Sequence, residues 1–512
     1  MALLERPRWK LIGLFLAGCL VFLYLQLFVV PDVPVCLQGD QSVYLLNVIR
    51  IRDGAVIYRD FFQFTYPATE FVYVALFKLF GVRAWIPHAV LILLGLGLAW
   101  LSILLSKRLL EGAAALLPGL LFLLTAFRPW FDASHHWFSA LAATGAIAAV
   151  AEKRTSGRLL LSGLCCGVAT SFTQLRGLLA VIGLLVFLLW ESRWAHRGTR
   201  WLLLNSCRLL GAFLLPVLAV NFYFASKVGL HQFWYSTVFF GIYFFPADAQ
   251  PNTLHAYVAV VPQFVPWYRL PTLGVFLFIH ALLPLVYVVV LFRYRRQAIS
   301  RPDLAWDQVM LLTISGLFLF AGVVPAPSWF RLCTVSLPAL VLFVWLLRSL
   351  QSGGRILIRG IWVGAIGLAL AGCVERQARW HAFLNTSVGR MALFSPQTYE
   401  KYRWISDQTR PREFVFDAAS AWVYFPLGLR NPAPVPYVTC TDYTRPEQVA
   451  ETVEALKKNN VRLVIWAVRL DLADRDSAAG DHLGPLRSYL RAHYRVVKLL
   501  DEGREEIWER AD

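Results

Sequence analysis

Eleven runs of largely apolar residues, 14 to 23 positions long, follow one another along the first 374 residues of this 512-residue chain. They fall near 9–30, 85–106, 113–127, 137–151, 159–174, 177–190, 202–223, 270–292, 307–324, 332–350 and 356–374. A hydrocarbon core about 30 Å thick is crossed by about 20 apolar residues in a helix, the element that satisfies its own backbone polar groups. The pattern predicts a polytopic α-helical membrane protein of about eleven spans. It excludes the several soluble domains that length alone would allow. Composition agrees, with 58% hydrophobic and 16% charged residues, against roughly 25% charged in an ordinary globular protein.

The net charge of +17 would suit a nucleic-acid partner, but its distribution points to a membrane instead. Residues 1–374 carry 29 basic and 13 acidic side chains, whereas 375–512 carry 20 and 19. Within the apolar part, one set of alternating loops holds 19 of the 29 basic residues, including Lys107-Arg108, Lys153-Arg154, Arg293 and Arg348. Basic loops stay on the cytoplasmic side. A multi-pass cytoplasmic-membrane protein follows, with a cytoplasmic N-terminus and an extracytoplasmic C-terminus. The first run follows Arg6, Arg8 and Lys10; it is too long for a signal-peptide core and lacks a small-residue cleavage site, so it reads as an uncleaved anchor. Eight cysteines without CxxC spacing indicate neither a zinc module nor a disulfide framework.

Most of the extramembrane chain lies outside. A first outer loop covers 31–84, a second large one about 224–269, and residues 375–512 form a tail of ordinary soluble composition. In the tail, helices are expected at about 397–409 and from Thr444-Arg445-Pro446-Glu447 to about Asn459, the second opened by a capping-box pattern. Strands are expected at Glu413–Phe416, Val461–Val468 and Arg495–Leu500. The chain thus divides into a transmembrane module, 1–374, and an extracytoplasmic α/β domain, 375–512.

Chemistry gathers in the first outer loop. Gly39-Asp40-Gln41-Ser42-Val43-Tyr44 stands just past the first span, followed by Asp53-Gly54, Tyr58-Arg59-Asp60-Phe61-Phe62 and Tyr66-Pro67-Ala68. An amphipathic run then leads from Phe71 to Gly81. The plainer reading is a solvated loop. Its aromatic content argues instead for a loop folded onto the membrane surface, where carboxylates can reach a lipid head group. A carboxylate beside an apolar interface has its pKa raised, which suits a general base.

The order of features is a span, an outer acid with Tyr44 near it, a helix stopping at Gly54, Tyr58 to Phe62, a proline, and a helix ending Leu76-Phe77-Lys78-Leu79-Phe80-Gly81. This order resembles the GT-C glycosyltransferases, nearest to the protein-mannosyltransferase and aminoarabinose-transferase-like branch of bacteria. The resemblance implies transfer of a hexosyl or pentosyl group from a polyprenyl phosphate to an acceptor on the outer face. It implies that Asp40 is the general base. The leaving group is then a lipid phosphate, and arginine forks suit its oxygens. The chain departs from the family in three places. Gln41 replaces a second carboxylate, Thr65-Tyr66-Pro67 lacks a lysine, and Gln174-Leu175-Arg176 replaces a Lys-Gln pair.

Beyond Asp40, the candidate substrate contacts are Tyr44, Arg59, Asp60, Asp132, Arg176 and Arg331. Asp60 follows Arg59 and would orient it toward phosphate, whereas Asp53, before Gly54, reads as a helix stop. Asp132 and His135 lie in Arg128-Pro129-Trp130-Phe131-Asp132-Ala133-Ser134-His135-His136, the next outer loop. With Asp40 they are weak candidates for a divalent metal, although the spacing is not metal-specific, and the simpler reading is an interfacial turn. Arg176, Arg269 and Arg331 sit on the side the charge rule disfavours; phosphate binding explains them, as does snorkelling to lipid head groups. The aromatics Trp234 to Phe245 are helix packing or a polyprenyl-holding segment. Two other classes compete with an enzyme: a flippase of lipid-linked sugars and an envelope assembly protein. Transporters place polar groups near the midplane, whereas the 13 acids of 1–374 all fall in or beside loops. The expected partners are the polyprenyl-phosphate donor, a glycan, lipid or protein acceptor, and membrane lipids, but no nucleic acid.

Overall fold

A computed structural model of the chain describes residues 9–245, 270–298, 304–324, 328–472 and 480–511. The fold is mostly helical. Nine labelled helices open it: α1 (Trp9–Leu27), α2 (Gln41–Arg52), α3 (Ala68–Phe80), α4 (Ile86–Ser106), α5 (Leu117–Phe122), α6 (His135–Ala151), α7 (Ser156–Phe172), α8 (Gln174–Trp194) and α9 (Thr199–Val228). Further helices follow at Leu270–Gln297, Trp306–Ala321, Leu337–Arg348 and Gln351–Ala378.

Among the described residues, seven helical stretches are long and apolar enough to cross a membrane: Trp9–Leu27, Ile86–Ser106, Gly112–Trp130, Gln174–Trp194, Thr199–Val228, Thr272–Gln297 and Ser352–Ala378. The other four apolar runs form shorter helices, α6 and α7 at 17 residues each, then Trp306–Ala321 and Leu337–Arg348. The peripheral helices keep large apolar side chains exposed, such as Leu215, Phe222, Val363 and Leu370. That is the surface expected of helices whose outer solvent is lipid.

Small residues let the helices approach. A Cβ on Gly163 would lie 2.2 Å from the Leu209 carbonyl oxygen, and one on Gly167 would lie 2.5 Å from that of Phe213. The Gly163-xxx-Gly167 pair therefore seats α7 directly on the backbone of α9, as small-xxx-small pairs do in membranes.

The tail builds the sheet. An antiparallel hairpin pairs β3 (Ala382–Thr386) with β4 (Gly389–Leu393), after a short pair, β1 (Phe28–Val29) and β2 (Val33–Pro34), at the end of α1. A four-stranded sheet then joins β5 (Val415–Asp417), β6 (Leu463–Ala467), β7 (Tyr494–Leu500) and β8 (Glu505–Arg510) in the order β5-β6-β8-β7. Only the β5–β6 pair is parallel, and the helix Pro446–Lys458 makes its crossover.

That helix corrects the expected capping pattern. Its N-cap is Arg445, whose backbone N–H donates to the Gln448 side chain at 3.0 Å. Thr444 instead accepts from the Thr439 N–H at 2.8 Å, because the preceding turn needs an acceptor there. All eight cysteines are free thiols.

Candidate active site

Asp40 stands at the N-cap of α2, where an aspartate ordinarily accepts its own helix's N–H groups. Its side chain makes no such bond. Asp132 does the capping from the loop before α6: its two oxygens accept the backbone N–H of Asp40 and of Gln41, each at 3.0 Å. The approach is close enough that a Cβ on Gly39 would lie 2.8 Å from Asp132 Oδ2, and Gly39 has φ +143°. Gly39 is therefore required on both steric and conformational grounds. Gln41 completes the lock by accepting the Ala133 N–H at 2.6 Å. Asp132 is buried, and its carboxyl is pushed well above the usual range, first by burial and then by Asp40, against the pull of the two amides.

Freed from capping, the Asp40 carboxylate faces a cavity of about 350 Å³. Tyr44, one turn along α2, lines it too, as do Phe62, Gln63 and Phe64, His135 and His136, and Arg331. Phe245 and the tail residues Pro436, Tyr437 and Tyr443 contribute to the wall. The tail is held over the loop by bonds from the Phe62 N–H to the Pro434 oxygen, 2.9 Å, and from Arg50 Nη2 to the Ala433 oxygen, 2.5 Å.

His136 Nε2 is 3.6 Å from Asp40 Oδ2. Tyr44 Oη is 2.5 Å from His135 Nδ1 and 3.1 Å from Thr65 Oγ1, so the phenol fixes one imidazole nitrogen. One ligand atom each from Asp40, His135 and His136 falls within 4.8 Å of the others, and His136 Nδ1 is buried without a hydrogen-bond partner. An oxygen and two imidazole nitrogens form a donor set that fits a divalent transition metal. Asp132, engaged by two amides, stands outside this group.

The expected contacts divide. Tyr44 and Arg331 line the cavity with Asp40, and the Arg331 guanidinium lies over the Phe245 ring at 5.1 Å. Arg176 is buried beneath it: Nη1 donates to the His136 oxygen at 2.5 Å and to Ser139 Oγ at 2.7 Å, and Nη2 to Thr334 Oγ1 at 2.6 Å. It buttresses α6 and the segment carrying Arg331. Arg59 and Asp60 bond to each other at 2.8 Å on the surface and do not line the cavity. The Asp60 carboxyl is held below its usual range, chiefly by Arg59, and it also accepts the Val56 N–H at 2.7 Å. Asp53 is more than a helix stop, since its carboxylate meets Arg412 and Arg430 of the tail at 2.8 Å each. Arg269 lies outside the described residues.

Several cavity residues escaped sequence reasoning. His136 had a visible signal, the His-His pair at a helix start. Tyr437 and Tyr443 had none, being about 400 positions from Asp40 along the chain. Glu70, which does not line the cavity, carries no sequence signal either. It is fully buried and accepts from Asn47 Nδ2 at 3.1 Å and Gln63 Nε2 at 2.8 Å, and Gln63 Oε1 in turn accepts the Phe64 N–H at 2.9 Å. Burial, the larger effect, pushes the Glu70 carboxyl up to about 7 against those two donors. Glu70 therefore shapes the 62–65 wall from behind.

No family model and no curated protein matches the sequence. Solved structures do. The aminoarabinose transferase ArnT of Cupriavidus metallidurans in the apo state superposes with TM-score 0.60 at 16% identity, over 98% of this chain and 97% of that one. The same enzyme bound to undecaprenyl phosphate gives 0.54 at 15%, over 98% of each. The oligosaccharyltransferase AglB of Archaeoglobus fulgidus, in complex with an inhibitory peptide and a dolichol-phosphate, gives 0.51 at 12%, over 91% of this chain and 70% of that one. With an end-to-end match to ArnT and a match over most of this chain to AglB, this chain has the fold that these two transferases share.

Proposed function

We propose that the protein is a membrane glycosyltransferase that moves a sugar from a polyprenyl phosphate to an acceptor hydroxyl on the outer face of the cytoplasmic membrane. The observation that carries this reading is the placing of Asp40 and Arg331 on one cavity of about 350 Å³. A base and a cation on a shared space are what sugar transfer from a phosphate needs. Asp40 takes the proton of the acceptor hydroxyl as its oxygen bonds to the anomeric carbon, while the bond from that carbon to the phosphate oxygen breaks. The phosphate leaves with its negative charge facing Arg331. Attack opposite to departure inverts the anomeric centre. Lipid-phosphate ligands in the ArnT and AglB structures support this donor class. A divalent cation held by Asp40, His135 and His136 would add positive charge beside the departing phosphate.

In this reading the chain passes the membrane eleven times, the four shorter helices included. The N-terminus is then inside, and the 375–512 domain lies outside, covering the cavity through Tyr437 and Tyr443 without supplying the base. The test uses the purified chain with a panel of polyprenyl-phosphate hexoses and pentoses, with released polyprenyl phosphate measured. One donor should be consumed. Asp40→Asn should slow turnover by about 10²-fold or more while donor binding persists. Turnover of Asp40→Asn at the unmodified rate, or a chain that consumes none of the donors, would overturn the proposal.

A further inference from the structure

A second cavity, about 330 Å³, lies at the end of the bundle away from Asp40, between the turn after α4 and the corner joining helices 337–348 and 351–378. Glu111, Arg348, Arg355, Ile358 and Arg359 line it with Gly112 and Ala114. The corner is tight, since a Cβ on Gly354 would lie 2.0 Å from the Leu347 carbonyl oxygen. It thus brings Arg348, at the end of one helix, against Arg355 and Arg359 on the next.

Charge is unbalanced here. Arg348 Nη2 donates to Glu111 Oε2 at 3.1 Å, and among the described residues Arg355 and Arg359 have no carboxylate partner. Four other basic groups at this end are matched: Lys107 and Arg158 share Glu152, Arg108 meets Asp307, and Arg154 meets Glu191. Arg355 and Arg359 are four residues apart on one helix face, a spacing at which like charges destabilise a helix. Three guanidinium groups against one carboxylate leave a net charge of +2 around one cavity. An anion relieves that repulsion, and guanidinium forks match phosphate oxygens in pairs.

The surroundings select the kind of anion. Ile356 and Leu357, beside Arg355 on the same helix, are exposed, as is Val363 about two turns further on. They lie on a helix apolar enough to cross a membrane. A phosphate seated in the cavity therefore has an apolar, lipid-facing surface next to it, along which acyl chains can lie. Basic pockets between spans at a membrane face suit acidic lipid head groups. We propose that this corner binds the phosphate head group of an anionic glycerophospholipid from the leaflet opposite the Asp40 cavity. The assignment does not depend on the transfer reaction.

The experiment uses the purified full chain in neutral detergent, with phosphatidylglycerol, phosphatidylcholine or inorganic phosphate added in turn. Retained ligand is counted by native mass spectrometry, and melting is followed in parallel. Phosphatidylglycerol should be retained and raise the melting temperature, and phosphatidylcholine should do neither. The double variant Arg355→Gln/Arg359→Gln should retain phosphatidylglycerol on the order of tenfold less, with its lipid-free melting unchanged. Arg355→Lys/Arg359→Lys, which keeps the charge, should recover part of the loss and so guards against a folding artefact. Equal retention of phosphatidylglycerol by the glutamine variant, equal retention of phosphatidylcholine, or full reproduction of the effect by inorganic phosphate would overturn the lipid assignment.

Discussion

Asp132 caps the helix that Asp40 begins, its two oxygens 3.0 Å from the backbone N–H of Asp40 and of Gln41. The usual arrangement would have Asp40 cap that helix itself. Because a residue 92 positions away does so, the Asp40 carboxylate is left for the cavity.

Asp132→Asn should therefore impair transfer although Asp132 does not line the cavity. An amide offers one acceptor where the two N–H groups need two, leaving a buried donor unmatched at a cost of about 1–3 kcal/mol. Asp40 would turn back toward its own helix. Turnover should fall by roughly 10-fold to 10²-fold, as a small misplacement of a reacting group does, with donor binding nearly unchanged. Turnover and donor binding measured side by side check this.

Arg331 and Asp60 should behave differently. Arg331→Gln removes a cation from the cavity wall and should weaken binding of a polyprenyl phosphate by about tenfold, the scale of a charged hydrogen bond. Asp60→Asn breaks a solvent-screened surface pair outside the cavity, half-exposed on the Arg59 side, and should leave donor binding within about twofold. Titration of both variants with a fluorescent polyprenyl phosphate distinguishes them.

Glu70 makes stability depend on pH. Its folded carboxyl is raised from 4.5 to about 7, so the folded chain holds a proton that the unfolded chain gives up. The resulting stability is fully present below about pH 4.5 and is lost as pH rises through 7. Glu70→Gln, which cannot ionise, should flatten that part of the curve. Melting temperatures of both proteins between pH 4.5 and 8 give the readout.

The two imidazoles can be tested without turnover. Mn²⁺ should bind the purified chain, and His135→Ala/His136→Ala should lower its affinity by 10-fold or more, with paramagnetic resonance counting free Mn²⁺. Two of the three ligands are then gone.

A reporter active only outside the cytoplasm should work when fused after Asp512 and fail when fused after Lys107. The loop bias of 19 basic residues against 10 is the ground for expecting that orientation.

Apart from the β3–β4 hairpin and the helix Gly484–His493, the membrane class, the apolar runs and the main helices and strands of the tail could be read from the chain, because hydropathy and turn residues act over a window of about 20 neighbours. β8 could not. Its Glu-Glu-Ile-Trp-Glu-Arg looks like a solvated segment, yet it lies between β6 and β7. Glu505 meets Lys401 and Glu509 meets Arg462, so its charges are answered by residues distant in sequence.

The same division runs through the site. Sequence alone determined that an acid follows the first span, that Gly39 precedes it, and that arginines stand on the sparsely basic side. Only the tertiary structure decided which of these groups share a space. It gave Asp132 to backbone amides, left Arg59 and Asp60 to each other, put Arg176 beneath the floor, and brought Tyr437 and Tyr443 over Asp40. Burial and hydrogen bonding depend on which segments meet, and that is set by packing across the whole bundle rather than by neighbours along the chain.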